Sequence, residues 1–261
     1  YHGAHGDNPE KLAENGIRLI EQGYTALKTS PYSSNWRTLP WASVLKHAEN
    51  RLSALRDAVG IDIDIGVDIH ATLAEPFRAK ELAAVLEPFR LMFIEEPVRP
   101  EHFPSFNKIR DGINIPVATG ENLFSLNQFV SLIDNSGVDI IQPDLCSGGG
   151  LSEAKKIAAL AEANYVSIAP HNPLGSIPTA VSTHFAASTP NFLILEYWGE
   201  HLKKNEFQFV NNPWQPVNGY MPLPTKPGLG MELNLEAIHK NPPITWNRGF
   251  PKNSDSSPGY I

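Results

Sequence analysis

Seven short, β-branched apolar runs recur along the chain, each ending in a polar or charged residue. They run from Tyr24 to Lys28, Ile61 to Asp68, Leu91 to Glu95, Ile115 to Glu121, Val138 to Asp144, Val166 to His171 and Phe192 to Glu196. Most are near-continuous rather than alternating, the pattern of parallel strands buried on both faces. Between them the period changes to that of a helix. Val44, Leu45, Ala48, Leu52, Leu55 and Val59 mark one face of the stretch from Trp41 to Val59, with Gly60 as its stop. Ile157, Leu160 and Ala161 share a stripe between Leu151 and Asn164. Asp7-Asn8-Pro9-Glu10 is a cap followed by proline at the first turn, and Gly23 ends the helix it opens.

Strand and helix alternating throughout define an α/β protein. The polar strand ends fall at 28, 68, 95, 121, 144, 171 and 196, a repeat that suits a βα unit. The expected fold is a TIM-type (β/α)7β barrel over residues 1–235, followed by a tail at 236–261. A doubly wound sheet fits less well, because no G-x-G-x-x-G follows the first strand. The strand preceding the first helix is expected ahead of Tyr1, leaving the barrel incomplete at its N-terminal end. Gly148-Gly149-Gly150 opens the helix after Asp144; its amides either face an anion or merely form a tight turn.

Composition narrows the possibilities. A single cysteine among 261 residues excludes a disulfide framework and a multi-cysteine zinc site. No apolar run reaches the length of a membrane span, and the first residues lack the basic and apolar parts of a signal peptide, so the cytoplasm is the default location. With 21 basic against 28 acidic residues and a net charge of -7, a nucleic-acid footprint is not expected.

Asp68, Glu95 and Glu121 end three successive strands, and a barrel brings such ends together on one face. Three converging carboxylates repel one another unless a cation is present, and all-oxygen ligation suits Mg²⁺. The alternative is three loop carboxylates paired with nearby Lys or Arg. His171 and Asp144 end adjacent strands; a carboxylate beside an imidazole orients it and raises its basicity, so His171 reads as a general base. His70 lies two residues beyond Asp68, on the same side of an extended chain, as a metal ligand or, since Mg²⁺ prefers oxygen, as an acid. Cys146 lacks a base of its own and reads as inert. His2, His5, His47, His102, His184, His201 and His239 fit no shared constellation and read as surface or core residues.

These strand ends carry a resemblance. Val67-Asp68-Ile69-His70, Phe93-Ile94-Glu95-Glu96-Pro97, Thr119-Gly120-Glu121-Asn122, Gln142-Pro143-Asp144 with Gly148-Gly149, and Ala169-Pro170-His171-Asn172-Pro173-Leu174-Gly175 resemble the mandelate racemase branch of the enolase superfamily, and within it the acid-sugar dehydratases. The resemblance spans roughly residues 7 to 235. It implies Mg²⁺ on Asp68, Glu95 and Glu121, with Glu96 in a supporting place. It implies His171 with Asp144 as the C2 base, His70 as the acid for the leaving hydroxyl, and Glu196 bonded to the substrate carboxylate. Many members carry Lys-x-Lys at the second strand; here it is Lys28-Thr29-Ser30, so Lys28 binds a substrate carboxylate or is a solvated lysine. Trp198 walls the pocket or simply packs. The implied reaction is dehydration of a sugar acid, a galactonate-like aldonate, to a 2-keto-3-deoxy acid. The rivals are a racemase, epimerase or cycloisomerase, and a non-catalytic metal-binding relative or inactive fragment. Such enzymes are usually homo-oligomers and carry an N-terminal capping domain, expected to lie outside these 261 residues.

Overall fold

The computed structural model describes residues 1–33, 35–199, 207–243, 245 and 252–257. Strands β1 (His2–Gly3), β2 (Ala26–Thr29), β3 (Asp64–Asp68), β4 (Phe93–Glu95), β5 (Val117–Thr119), β6 (Ile140–Ile141) and β7 (Ser167–Ile168) form one sheet in chain order, each neighbouring pair parallel. Helices α1 (Pro9–Glu21), α2 (Trp41–Val59), α3 (Pro76–Leu86), α4 (Pro104–Arg110), α5 (Leu126–Ser136), α6 (Gly150–Ala163) and α7 (Ser176–Ala187) each follow one strand. The sheet then meets itself. The segment 192–197 bridges β7 through Ile168 and Phe192 and bridges β1 through His2 and Tyr197, both in parallel. The amide of Leu193 donates to Ile168 at 2.8 Å and that of Tyr197 to Tyr1 at 2.9 Å. Seven βα units and a last strand-like segment make the TIM-type (β/α)7β barrel expected from the sequence.

One expectation needs correcting. The strand before α1 lies at His2–Gly3 rather than ahead of Tyr1. It is two residues long and contains a histidine and a glycine, so no apolar run announces it.

Helix boundaries follow the local chemistry. The Asn8 side chain accepts from the Lys11 amide at 2.9 Å and caps α1, with Pro9 next to it. Gly60, at φ +79°, ends α2 where β-branched or larger residues would be strained. No helix among the described residues is long and apolar enough to cross a membrane.

Alternation along the strands sorts side chains between two cores. Leu27, Ile65, Val67, Ile94, Val117, Ile141 and Ile168 face outward, into the main cluster beneath the helices. Tyr1, Ala26, Phe93, Ala118, Ile140 and Ala169 form a smaller cluster inside the barrel. Two aromatic rings fill it, Tyr1 edge-on to Phe93 with centroids 5.8 Å apart. Gly66 makes room: a Cβ there would stand 2.5 Å from the Phe93 ring. Two residues further along, the same inward face carries Lys28, Asp68 and Glu95 to the C-terminal mouth. Beyond the barrel, a two-stranded antiparallel ribbon, β8 (Val210–Asn211) with β9 (Glu232–Leu233), leads into the short helix α8 (Leu235–Lys240), which straddles the boundary expected at residue 235.

Candidate active site

Four of the residues singled out from the sequence, Lys28, Asp68, Glu95 and Glu196, meet at the barrel mouth around the ammonium group of the lysine. Lys28 is buried, and its Nζ lies 2.8 Å from Glu95 Oε1, 2.7 Å from Glu196 Oε1 and 3.5 Å from Asp68 Oδ2. The alternative of a solvated lysine is therefore wrong: period two turns Lys28 into the barrel, where carboxylates compensate its charge. Burial opposes the ammonium, but Glu196 and Glu95 outweigh it and hold its pKa well above the usual lysine value. Glu196, although buried, is driven down to about 2 by Lys28 and His171. Its second oxygen accepts from the Asn172 amide at 2.8 Å, and Trp198 Nε1 donates to Oε1 at 2.8 Å.

A second group surrounds Glu121. His171 Nδ1 meets Asp144 Oδ2 at 2.8 Å, which leaves Nε2 as the outward nitrogen, 3.4 Å from Glu121 Oε2. The other oxygen of Glu121 lies 3.6 Å from His70 Nε2. The two histidines thus stand on different oxygens of one carboxylate. Burial lowers the His171 pKa, but the Asp144 bond, Glu196 and Glu121 raise it further, to about 9. Asp144 is pushed below its usual range, burial being outweighed by His171 and by the amides of Ser147 and Cys146, both at 2.8 Å. Those amides, with Gly148 N on the Asp144 carbonyl at 2.9 Å, are turned to Asp144 itself. The glycine turn serves to fix the aspartate, which favours the tight-turn reading over the anion site. The Cys146 thiol is pushed up by burial and by Asp144, as befits an inert cysteine.

Glu96, next to Glu95, serves a different end. Its carboxylate accepts from the Thr119 hydroxyl, from Gly120 N at 3.0 Å and from Asn122 Nδ2 at 3.3 Å. It ties β4 to the turn that presents Glu121.

Do Asp68, Glu95 and Glu121 suit a divalent cation? As they stand, no group of three or more His, Cys, Asp or Glu side chains among the described residues is gathered as it would be around an ion. Two observations nevertheless fit one. Asp68 Oδ1 and Glu95 Oε2 are buried oxygens with no hydrogen-bond partner, and such groups are costly unless something satisfies them. Burial and mutual repulsion raise the pKa of Glu95 well above normal, and Glu121 is raised as well. The ammonium of Lys28 lies where positive charge is wanted, but it reaches only one oxygen of each carboxylate. A hard, oxygen-preferring cation matches this donor set.

Several contributors were given no role from the sequence. Tyr1 lies under the site, its ring 5.5 Å from Lys28 Nζ. Asn172 positions Glu196. His5, read from the sequence as outside any constellation, packs against Trp198 with ring centroids 4.9 Å apart and lines the cavity beside Lys28, Asp68 and His70. The loop between β1 and α1 brings it there, a placement that follows from topology and not from a motif. Of the other histidines in that group, His2 is buried, while His47, His102 and His239 are exposed; His201 lies outside the described residues.

A TIM-type barrel with acidic residues and a His–Asp pair at consecutive strand ends defines the class. The chain belongs to the enolase C-terminal domain-like family, whose model matches residues 11–238. It is 32% identical over 260 residues to a D-galactonate dehydratase of Variovorax paradoxus, covering 97% of this chain and 67% of that one. It is 31% identical over 233 residues to a D-gluconate dehydratase of Thermoproteus tenax, covering 89% of this chain but only 46% of the relative. Among solved structures, an enolase of Agrobacterium radiobacter, provisionally a galactarate dehydratase and crystallised with sodium and L-malate, superposes with a TM-score of 0.92 at 37% identity, over all of this chain and 70% of that one. A mandelate racemase/muconate lactonizing enzyme from Jannaschia gives a TM-score of 0.85 at 31% identity, over 95% of this chain and 66% of that one.

Proposed function

We propose that this chain is the barrel of a Mg²⁺-dependent sugar-acid dehydratase acting on a galactonate-type acid. The observation that carries the reading is the pair of histidines flanking Glu121, only one of which is backed by a carboxylate. His171, bonded through Nδ1 to Asp144, presents Nε2 as a base for the C2 proton. Among the described residues His70 meets no carboxylate but Glu121, at 3.6 Å, and it is half exposed; it protonates the departing 3-hydroxyl. Loss of the C2 proton and the 3-hydroxyl leaves an enol that tautomerises to the 2-keto-3-deoxy acid. Glu196, held by Asn172 and Trp198, takes up a proton when the anionic substrate arrives and donates it in a hydrogen bond to the substrate carboxylate, which Lys28 neutralises.

Asp68, Glu95 and Glu121 would hold the Mg²⁺, whose charge would stabilise the negative charge developing on the carboxylate. In the same reading a capping domain outside these residues closes over the mouth and excludes water. On the family resemblance the enzyme is also read as a homo-oligomer, with the cytoplasm as its default location.

The test is a panel of sugar acids incubated with full-length protein and Mg²⁺, read by 2-keto acid formation and by exchange of the C2 proton with deuterium. Keto acid from a galacto-configured acid is the expected result. Interconversion of C2 epimers with no keto acid would replace this reading with that of an epimerase.

A further inference from the structure

The chain breaks a local rule immediately beyond Asp68. Thr72 N donates to Ile69 O at 3.3 Å, and the Thr72 hydroxyl donates to the same carbonyl at 2.8 Å, closing a tight turn with His70 and Ala71 at its centre. Both central residues have positive φ, +56° and +52°. Two positive φ values mark a primed type I turn, which favours Gly, Asn and Asp at these places because a Cβ crowds the neighbouring carbonyl. A histidine is tolerated in the left-handed region, an alanine much less so. Glu96, just past the end of β4, is left-handed too, at φ +44°. Three left-handed residues other than glycine thus stand together at the ends of two paired strands. Such strain persists only where the surroundings over-determine it.

The surroundings form a closed circuit. Ile69 N donates to Glu95 O at 3.0 Å and Ala71 N to Glu96 O at 2.9 Å, so the β3–β4 ladder continues into the turn. The Glu96 side chain accepts from the Thr119 hydroxyl, from Gly120 N at 3.0 Å and from Asn122 Nδ2 at 3.3 Å, on either side of Glu121 in the chain. Glu121 Oε1 in turn lies 3.6 Å from His70 Nε2. The last link is the weakest: 3.6 Å is too long for a hydrogen bond, and the His70 side chain is half exposed. That contact cannot hold the ring by itself, so its placement falls to the backbone. Ala71 is buried, and its Cβ denies the turn the wide φ range that glycine would leave open.

We infer that Ala71 is a positioning residue: held left-handed by its bond to Glu96, it fixes the His70 imidazole beside Glu121 at the place from which the leaving hydroxyl is protonated, a role that rests on the dehydratase reading. Breaking the C3–O bond needs a proton delivered to the departing oxygen, and that delivery depends on where the acid stands. Removal of the C2 proton belongs to His171, on the other oxygen of Glu121, and this turn does not serve it.

The test is Ala71→Gly in the full-length protein, which keeps the amide and frees φ. With galactonate and Mg²⁺, exchange of the C2 proton should stay close to the unmodified rate. The 2-keto-3-deoxy product should fall about 10- to 100-fold, the range expected when an acid is misplaced by about 1 Å. A 3-deoxy-3-fluoro analogue of galactonate is the control, because fluoride departs as an anion and needs no proton. Its release should be as fast in Ala71→Gly as in the unmodified enzyme. Exchange and product falling together, slowed fluoride release, or undiminished product would each overturn the role of Ala71. Undiminished product would at the same time leave the dehydratase reading intact. A second readout needs no turnover. The amide at position 71 should be protected from hydrogen exchange in the unmodified protein and lose protection in Ala71→Gly. Free exchange in the unmodified protein would also overturn the role. If protection behaves as expected while the unmodified enzyme forms no keto acid from any sugar acid, the lock on His70 stands and the dehydratase reading fails.

Discussion

At the scale of single residues the division of labour between the histidines makes two predictions. His171→Asn should abolish exchange of the C2 proton, because no other imidazole at this mouth among the described residues is hydrogen-bonded to a carboxylate. His70→Asn should leave some exchange while 2-keto-3-deoxy product falls by about 10² to 10⁴, the usual worth of one acid–base group. Equal loss of exchange and product in His70→Asn would mean that His70 is not the leaving-group acid. The pH profile offers a separate check on Asp144. Its carboxylate favours the imidazolium, which is why His171 titrates near 9 rather than 6.5. A base must be neutral to work, so activity should climb with pH on the acid side. Asp144→Asn removes the stabilising charge and should move that limb of kcat/KM to lower pH, while reducing its height because the ring is no longer oriented. A limb that stays in place would detach Asp144 from the base.

At the scale of elements, the strands show what a sequence can and cannot disclose. Seven apolar runs with polar ends marked the barrel because parallel strands are buried on both faces. Their final residues marked the mouth because period two carries Lys28, Asp68 and Glu95 inward together. Trp41 to Val59 was legible to the residue, with Gly60 as its stop. The first strand was not, since His2–Gly3 has no hydrophobic signature and is defined only by its pairing with Leu27 and Lys28. The state of Lys28 was not legible either: its burial depends on three carboxylates from three other strands, which no local pattern reports. The same topology gives a prediction about Gly66. Its missing Cβ accommodates the Phe93 ring inside the barrel, and it sits two residues before Asp68. Gly66→Ala should cost about 1–3 kcal/mol, the range for overpacking a filled core, and should weaken Mg²⁺ binding by shifting Asp68. Thermal unfolding with and without Mg²⁺ measures both. A melting temperature equal to that of the unmodified protein would show that the ring has room to move.

At the scale of the whole molecule, the barrel concentrates acidic groups in its mouth beyond what its own cations neutralise. Asp68, Glu95, Glu96, Glu121, Asp144 and Glu196 face Lys28, His70 and His171. The imbalance shows in Glu96, which burial and the neighbouring Glu121 raise to about 7, as well as in the upward shifts of Glu95 and Glu121. A carboxyl whose pKa is raised on folding binds more protons folded than unfolded between its two pKa values. Stability should therefore fall as pH rises, for Glu96 between 4.5 and about 7. A divalent cation acts in the opposite sense, because it binds the ionised carboxylates and must displace their protons. Two consequences follow from one cause. Mg²⁺ should bind more tightly at pH 8 than at pH 6, with protons released that calorimetry in buffers of different ionisation enthalpy would count. The rise in melting temperature on adding Mg²⁺ should also grow across the same range. Asp68→Asn and Glu121→Gln each remove one charge from the cluster. Both should fold at least as stably as the unmodified protein without metal, lose most of the Mg²⁺-induced shift, and abolish turnover. A Mg²⁺ shift that is independent of pH and survives both substitutions would place the cation elsewhere.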